Sequence, residues 1–290
     1  MKALDASLVL LLVLGAAGTD RSTAATIDAI PPATRAKLAP ELIATLTAHP
    51  ATVPVIVLMQ DQVDLDHLNA ELTVAAVDRR ARAARVIPLL QAKAQETQAP
   101  LWKELARYQE AGDVTSAKPL WLVNAVLIRG TSDVVIALAG RAEVGRIFLD
   151  GPIATDHAFP ETPPSAISPG QAEPGLRVTG APTLWGMGFT GAGILVMNLD
   201  TGVDGQHPSM ATRWLGLDPG VNTTDAWFDN PVSMSCPTPC DYDTHGTLTM
   251  SVVTGLQTAT ADTVGVAFGS KWIAGAVIGA STGDVLTEMQ

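Results

Sequence analysis

The chain has 290 residues, 47% of them hydrophobic and 4% aromatic, with 18 basic against 29 acidic side chains. That apolar content excludes an intrinsically disordered chain and is enough for one large or two ordinary domains. A net charge of -11 argues against a nucleic-acid binder, and it is unevenly spread: residues 1–150 carry 15 basic and 16 acidic groups, residues 151–290 only 3 and 13. Two differently composed segments are joined.

Residues 1–25 read as a signal peptide. Lys2 supplies the positive start, Ser7 to Ala17 an apolar run, and Thr23-Ala24-Ala25 the small residues of a cleavage site. The competing reading, an uncleaved membrane anchor, has Asp5 and the shortness of the run against it. The expectation is therefore a secreted or extracytoplasmic protein with no membrane attachment once the signal is removed.

Val53 to Met59 is an apolar run rich in β-branched residues and predicts a buried strand, with Pro54 confined to its start. Leu65 to Tyr108 has helical patterning, which Pro88 and Pro100 should interrupt or kink. Arg79, Arg80, Arg82 and Arg85 read as a solvated helix face. Trp121 to Ile128 predicts a second strand, Ser132 to Ala139 a short helix and Val144 to Leu149 a third strand, together a small α+β unit. Six prolines between residues 151 and 175 then predict an extended linker.

From Leu176 the texture becomes α/β. Ile194 to Asp200 is a nearly continuous apolar run closed by a carboxylate, as expected of a parallel strand buried on both faces. A helix is expected from His245 to Leu256, a strand from Trp272 to Ile278, and a helix from Asp284 to Gln290 that stops without a cap. The two cysteines, in Cys236-Pro-Thr-Pro-Cys240, leave two readings open. An exported protein favours a local disulfide; the short, proline-stiffened span favours two free thiols.

Asp200 ends its strand where open α/β sheets place their sites, and Gly202 allows a tight turn beyond it. Thr244-His245-Gly246-Thr247 enters a helix, so that His245 could serve as a general base if a carboxylate oriented its other ring nitrogen. Each alone is weak; together they give an Asp-then-His order. Val196-Met197-Asn198-Leu199-Asp200-Thr201-Gly202-Val203, His207-Pro208, His245-Gly246-Thr247, the turn and strand Val264 to Ile273, and the entry Gly180-Ala181-Pro182 with Trp185 to Gly188 follow in the order and spacing of one family. Residues 120–290 resemble the start of a subtilisin-like serine peptidase, a subtilase of the bacillopeptidase F type.

The resemblance implies a partial parallel-sheet catalytic domain over residues 176–290. Residues 26–150 would be an inhibitory propeptide-like α+β domain that sits in the substrate cleft, and 151–175 the proline-rich linker between them. It implies a secreted endopeptidase precursor acting on proteins or peptides, with Asp200 and His245 as two catalytic residues. No cofactor is required for catalysis, and Ca²⁺ is an optional structural ion. Three positions depart from the family: Thr244 where relatives carry Gly, Leu248 where they carry a second His, and Phe268 where they carry Pro. No Gly-Thr-Ser-Met-Ala type motif follows His245 within these residues, and Asn198, Asn222 and Asn230 are not placed as an oxyanion donor. Gly130-Thr131-Ser132 precedes Asp200 and lacks the small residues that follow the nucleophile. His49, His67, His157 and His207 lie outside the expected triad. These 290 residues are therefore expected to be an inactive fragment. The alternatives are a propeptide-like inhibitor or foldase with a vestigial catalytic segment, and a cation module built on Asp241, Asp243 and His245.

Overall fold

A computed structural model describes residues 29–48, 50–154, 172–229, 236–259 and 262–290. The signal-peptide residues, His49, His157, Asn230 and most of the proline-rich linker lie outside these.

The first unit begins with two short helices, α1 (Pro32–Arg35) and α2 (Pro40–Thr47), each with proline in its first turn, where no backbone N–H is needed. Then come β1 (Val53–Met59), α3 (Leu65–Val74), α4 (Arg79–Ala111), β2 (Val114–Leu120), β3 (Ala125–Gly130), α5 (Ser132–Ala139) and β4 (Val144–Leu149). The strands form one antiparallel sheet in the order β2-β3-β1-β4. Leu42 and Leu46 of α2, Leu101 and Leu105 of α4, and Val134, Val135 and Leu138 of α5 pack with Val53, Val55 and Val57 of β1 into the main core.

Two expectations are corrected here, for identifiable reasons: the prolines do not interrupt their helix, and the second strand starts later than expected. The 33-residue α4 runs unbroken through Pro88 and Pro100. Its buried positions Leu90, Ala94, Gln98, Leu101 and Leu105 recur at helical spacing across Pro100, so packing on the sheet offsets the roughly 3 kcal/mol that an interior proline costs. It stops at Gly112, whose φ of 82° reverses the chain. The second correction concerns Trp121 to Asn124, which form a turn rather than the start of a strand; β3 begins at Ala125, and β2, which sequence reading missed, precedes the turn. Asn124 decides this. Its φ is 43°, and its buried amide donates to the Asp61 carbonyl (2.7 Å) and Thr97 Oγ1 (2.9 Å), while Gln98 Nε2 donates to its Oδ1 (3.1 Å). Asparagine tolerates this backbone, and the buried amides satisfy one another only in this conformation.

The second unit contains α6 (Pro174–Val178), α7 (Ala181–Gly186), β5 (Leu195–Asp200), β6 (Trp227–Phe228), α8 (His245–Thr254), β7 (Leu256–Gln257), β8 (Asp262–Thr263), β9 (Lys271–Ala276) and α9 (Thr282–Glu288). Its main sheet is parallel, in the order β5-β9-β6, so mixed helices and sheets with a parallel sheet form the α/β part. Three tryptophans fill its core. Trp272, fully buried, donates to the Met210 carbonyl (3.0 Å), Trp214 to Ala226 (3.1 Å) and Trp227 to Cys236 (2.9 Å). Each ring thus buries its apolar area without stranding its N–H.

β5 is not buried on both faces. It pairs only with β9 among the described residues, and Leu195 and Met197 are 46% and 45% exposed. Its unpaired edge is where a parallel sheet would accept another strand, and its exposed apolar face is one that a further layer could cover. The last helix, α9, starts at Thr282 and is capped by Ser281, whose Oγ accepts from the Asp284 N–H (3.1 Å). It lies against the face of the first unit's sheet opposite the main core. Leu286 packs near Ile56 and Leu120, the buried Asp150 carboxylate accepts the Gly283 N–H (2.8 Å), and the Gln290 side chain bonds Trp121 N and Pro119 O.

Candidate active site

The parallel sheet delivers Asp200 to its carboxyl edge, and α8 begins opposite it with His245. His245 Nδ1 lies 2.6 Å from Asp200 Oδ1, with the two side chains 21% and 13% exposed. An ionised carboxylate only accepts hydrogen bonds, so Nδ1 carries the shared proton and Nε2 is the nitrogen able to take another. Asp200 is itself held: Oδ1 accepts the Thr201 N–H (2.7 Å) and Oδ2 the Thr249 hydroxyl (3.1 Å). Asn198, one pleat back on β5, donates to the Gly246 carbonyl (2.9 Å) and so ties the strand to the helix start.

The close approach of α8 to β5 depends on glycine. A Cβ on Gly246 would lie 1.9 Å from the Gly202 carbonyl oxygen, and one on Gly202, whose φ is 112°, would lie 2.1 Å from the Cys240 oxygen. Three stretches of backbone stack here. The middle one leaves the strand, and the outer ones are the start of α8 and the end of the cysteine loop. Val203 N–H donates to Cys240 O and Gly205 N–H to Pro239 O, so the loop from Cys236 to Cys240 runs alongside residues 202–205.

The two cysteines are disulfide-bonded, with their Cα atoms 6.3 Å apart, within the range a disulfide spans. Asp229 anchors both sides of the loop, accepting from Cys236 N and from the Tyr242 hydroxyl, each at 2.7 Å. An open groove of about 790 Å³ lies over it, lined by Asp204, His207, the loop, Thr244 and Leu248; neither Asp200 nor His245 lines it.

Asp241 follows the disulfide. Its Oδ1 accepts from Thr201 Oγ1 (2.7 Å) and from the N–H groups of Asp243 and Thr244 (both 3.1 Å), and its Oδ2 from the Thr247 N–H (2.7 Å) and hydroxyl. With both oxygens spent on protein donors it is a helix cap, and among the described residues no three His, Cys, Asp or Glu are grouped to hold a metal ion. Sequence reading weighed Asp241 only as a cation ligand. The signal for its other use was an acidic residue just ahead of a helix start.

Burial alone would push the Asp241 carboxyl up, but the hydrogen bonds from Thr247, Thr201 and the backbone outweigh it and hold the carboxyl below its ordinary value. Its contribution to stability is therefore complete above the ordinary carboxylate range and is lost as pH falls through the lower folded value, below about pH 4. We expect Asp241→Asn to be less stable than the parent at pH 6 and to show a shallower loss of stability below pH 4, followed by tryptophan fluorescence in urea. Parallel profiles for the two chains would sink this assignment.

The other histidines and serines of the described residues considered against this site are dispersed. His207 Nδ1 contacts Ser209 Oγ (2.6 Å), and His67 lies on α3 beside Glu71. Ser251 is on α8, Ser270 precedes β9 and Ser281 caps α9. Gly130-Thr131-Ser132 ends β3 and opens α5, where Thr131 is the cap. Thr244 has a φ of 69°, a conformation in which a β-branched residue is strained and glycine is not. Leu248 is 58% exposed and lines the groove over the cysteine loop. Phe268 meets Trp185 edge-on, with ring centroids 5.3 Å apart.

Comparison with known proteins bears on the second unit and, for one relative, reaches back beyond it. The subtilase family model matches residues 191–289. The matched segment runs from just before β5 into α9 and includes Asp200, the cysteine loop and His245. The chain is also 25% identical over 222 residues to bacillopeptidase F of Bacillus subtilis (strain 168), an alignment covering 71% of this chain and 15% of that protein. This chain thus spans a small part of the relative's length. Over residues 191–289 the chain is similar to the subtilase family. Among the described residues no helix is long and apolar enough to cross a membrane.

Proposed function

We propose that the chain is the N-terminal part of a secreted subtilisin-like endopeptidase precursor, in which Asp200 and His245 are two members of an Asp-His-Ser triad. The observation that carries this reading is the 2.6 Å contact between His245 Nδ1 and Asp200 Oδ1 at the carboxyl edge of a parallel sheet. In that role Asp200 fixes the imidazole tautomer and stabilises the imidazolium. His245 Nε2 takes the proton of a serine as the serine oxygen attacks the scissile carbonyl, then passes it to the leaving amine. The serine and the oxyanion asparagine would come from residues beyond Gln290, and the edge of β5, unpaired among the described residues, supports a further strand there. Residues 1–25 would direct export and be removed, and residues 26–150 would hold the cleft as an inhibitory propeptide. Protein or peptide is the substrate class.

The reading is tested by the gene beyond the codon for Gln290 together with an assay of these 290 residues. An open frame reaching an asparagine-bearing strand and a Gly-Thr-Ser-Met-Ala type helix start is the expected result, and the purified 290-residue chain is expected to hydrolyse a generic peptide no faster than background. A stop codon there, or turnover by the 290 residues that His245→Ala abolishes, would overturn it.

A second reading, a propeptide-like inhibitor or foldase with a vestigial catalytic segment, is favoured by one observation: the first unit has its own core and already holds α9 through Asp150. It predicts that residues 26–160 fold alone and inhibit a complete relative on titration.

A further inference from the structure

The hydrogen bond between His245 and Asp200 is made by two side chains from different elements. Its length is therefore set by how firmly the start of α8 is fixed against the end of β5. Besides the bonds of Asn198 and Thr249 and that of the Asp204 N–H to Thr247 Oγ1 (2.9 Å), a set of polar links between them converges on Asp241. Its Oδ1 accepts the hydroxyl of Thr201, the residue directly after Asp200, and that hydroxyl oxygen in turn accepts the N–H of Gly246, the residue directly after His245 (2.9 Å). On the helix side the same carboxylate takes the N–H of Thr244, directly before His245, and both donors of Thr247. Residues flanking each member of the pair are thus bonded to one carboxylate.

The arrangement is specific to an anion. The first N–H groups of a helix have no partners within it and carry the positive end of its dipole, so a carboxylate there both satisfies and attracts them. Thr244, the residue before the helix, provides no side-chain cap of its own. Thr244 is also held at a positive φ, a conformation that persists only where the surroundings enforce it. Asp241 accepts its N–H and is itself held in register by the neighbouring disulfide and by the pairing of the cysteine loop with residues 202–205.

We infer that Asp241 is a positioning residue for the Asp200–His245 pair, acting through Thr201 and the start of α8 rather than on substrate. The inference rests on the proposed reading of that pair as catalytic. It places a third carboxylate in the machinery, one that sets the geometry of the other two groups and takes no proton itself.

The test uses the shared Nδ1 proton, which a short bond to a carboxylate moves far downfield in the proton NMR spectrum and shields from exchange with water. In the 290-residue chain labelled with ¹⁵N-histidine, the signal should be present and should vanish in His245→Ala and in Asp200→Asn. In Asp241→Asn it should broaden and exchange about tenfold faster, the change expected when a charged acceptor is lost from the link. The slowly exchanging Trp272 indole proton reports that the unit remains folded. Should Asp241→Asn fail to fold, Thr201→Val, which keeps the shape and removes the bridging hydroxyl, gives the same readout. The double variant should exchange no faster than the faster single one, because both act through one link.

A folded Asp241→Asn or Thr201→Val with the parent's exchange rate overturns the positioning role, as does multiplication of the two effects in the double variant. If Asp200→Asn removes the signal while Asp241→Asn leaves it untouched, the catalytic reading of the pair stands and only this inference falls. If Asp200→Asn leaves the signal in place, the pair itself is dismissed and the positioning role with it.

Discussion

On the proposed reading, Asp200→Asn in a catalytically complete chain is expected to lower kcat about 10⁴-fold and His245→Ala about 10⁶-fold, with KM little changed. The two losses differ because the groups do different things. Removing the imidazole removes the base outright. Replacing the carboxylate by an amide leaves a side chain of the same shape but offers Nδ1 an N–H donor as readily as an oxygen, which favours the tautomer with its proton on Nε2. That nitrogen then cannot accept a proton from the serine. Because Asp200 is only 13% exposed and lies behind the imidazole, its loss should affect the transition state and not the binding of substrate, so kcat and kcat/KM should fall together. Steady-state kinetics on a fluorogenic peptide would decide. A fall of less than tenfold for Asp200→Asn, or one confined to KM, would remove Asp200 from the triad.

Gly246→Ala should strongly destabilise the second unit and leave the first unaffected. The added methyl carbon would sit 1.9 Å from the Gly202 carbonyl oxygen and 3.1 Å from Asp200 Cβ, and the obstacle is backbone that is itself wedged against Cys240. No side chain can rotate away. The helix would have to withdraw by more than an ångström, breaking the bonds of Asp241 and Asn198 to its first turn. A cost of about 3 kcal/mol or more is expected, a large part of the roughly 5–15 kcal/mol that holds a domain folded. Gly193→Ala is the control. It also lies in the second unit at a positive φ, 79°, but in open space, so it should cost only the backbone strain of about 1 kcal/mol. Hydrogen exchange followed by mass spectrometry reads the two units separately. Protection of β9 in Gly246→Ala equal to that in Gly193→Ala would show that the stack yields more easily than its distances imply.

The sequence alone was sufficient for elements whose signals are local. β1, α5 and β4 have the boundaries that their local patterns imply, and β5, α8 and β9 are displaced by a residue or two at most. Asp200 and His245 were legible as candidates because each stands at the end of such an element, beside a glycine that allows close approach. What depends on a distant partner was not legible. Whether β5 is an edge or a central strand depends on which strands flank it, and an apolar run has the same composition in either place. The prolines of α4 are tolerated because of the sheet beneath them, and Trp121 to Asn124 turn because Gln98 and Thr97, far back along the chain, satisfy Asn124. Asp241 was visible as an acidic residue near a helix start. Only the fold, by bringing Thr201 across 40 residues to its oxygen, made it the link between the two members of the pair.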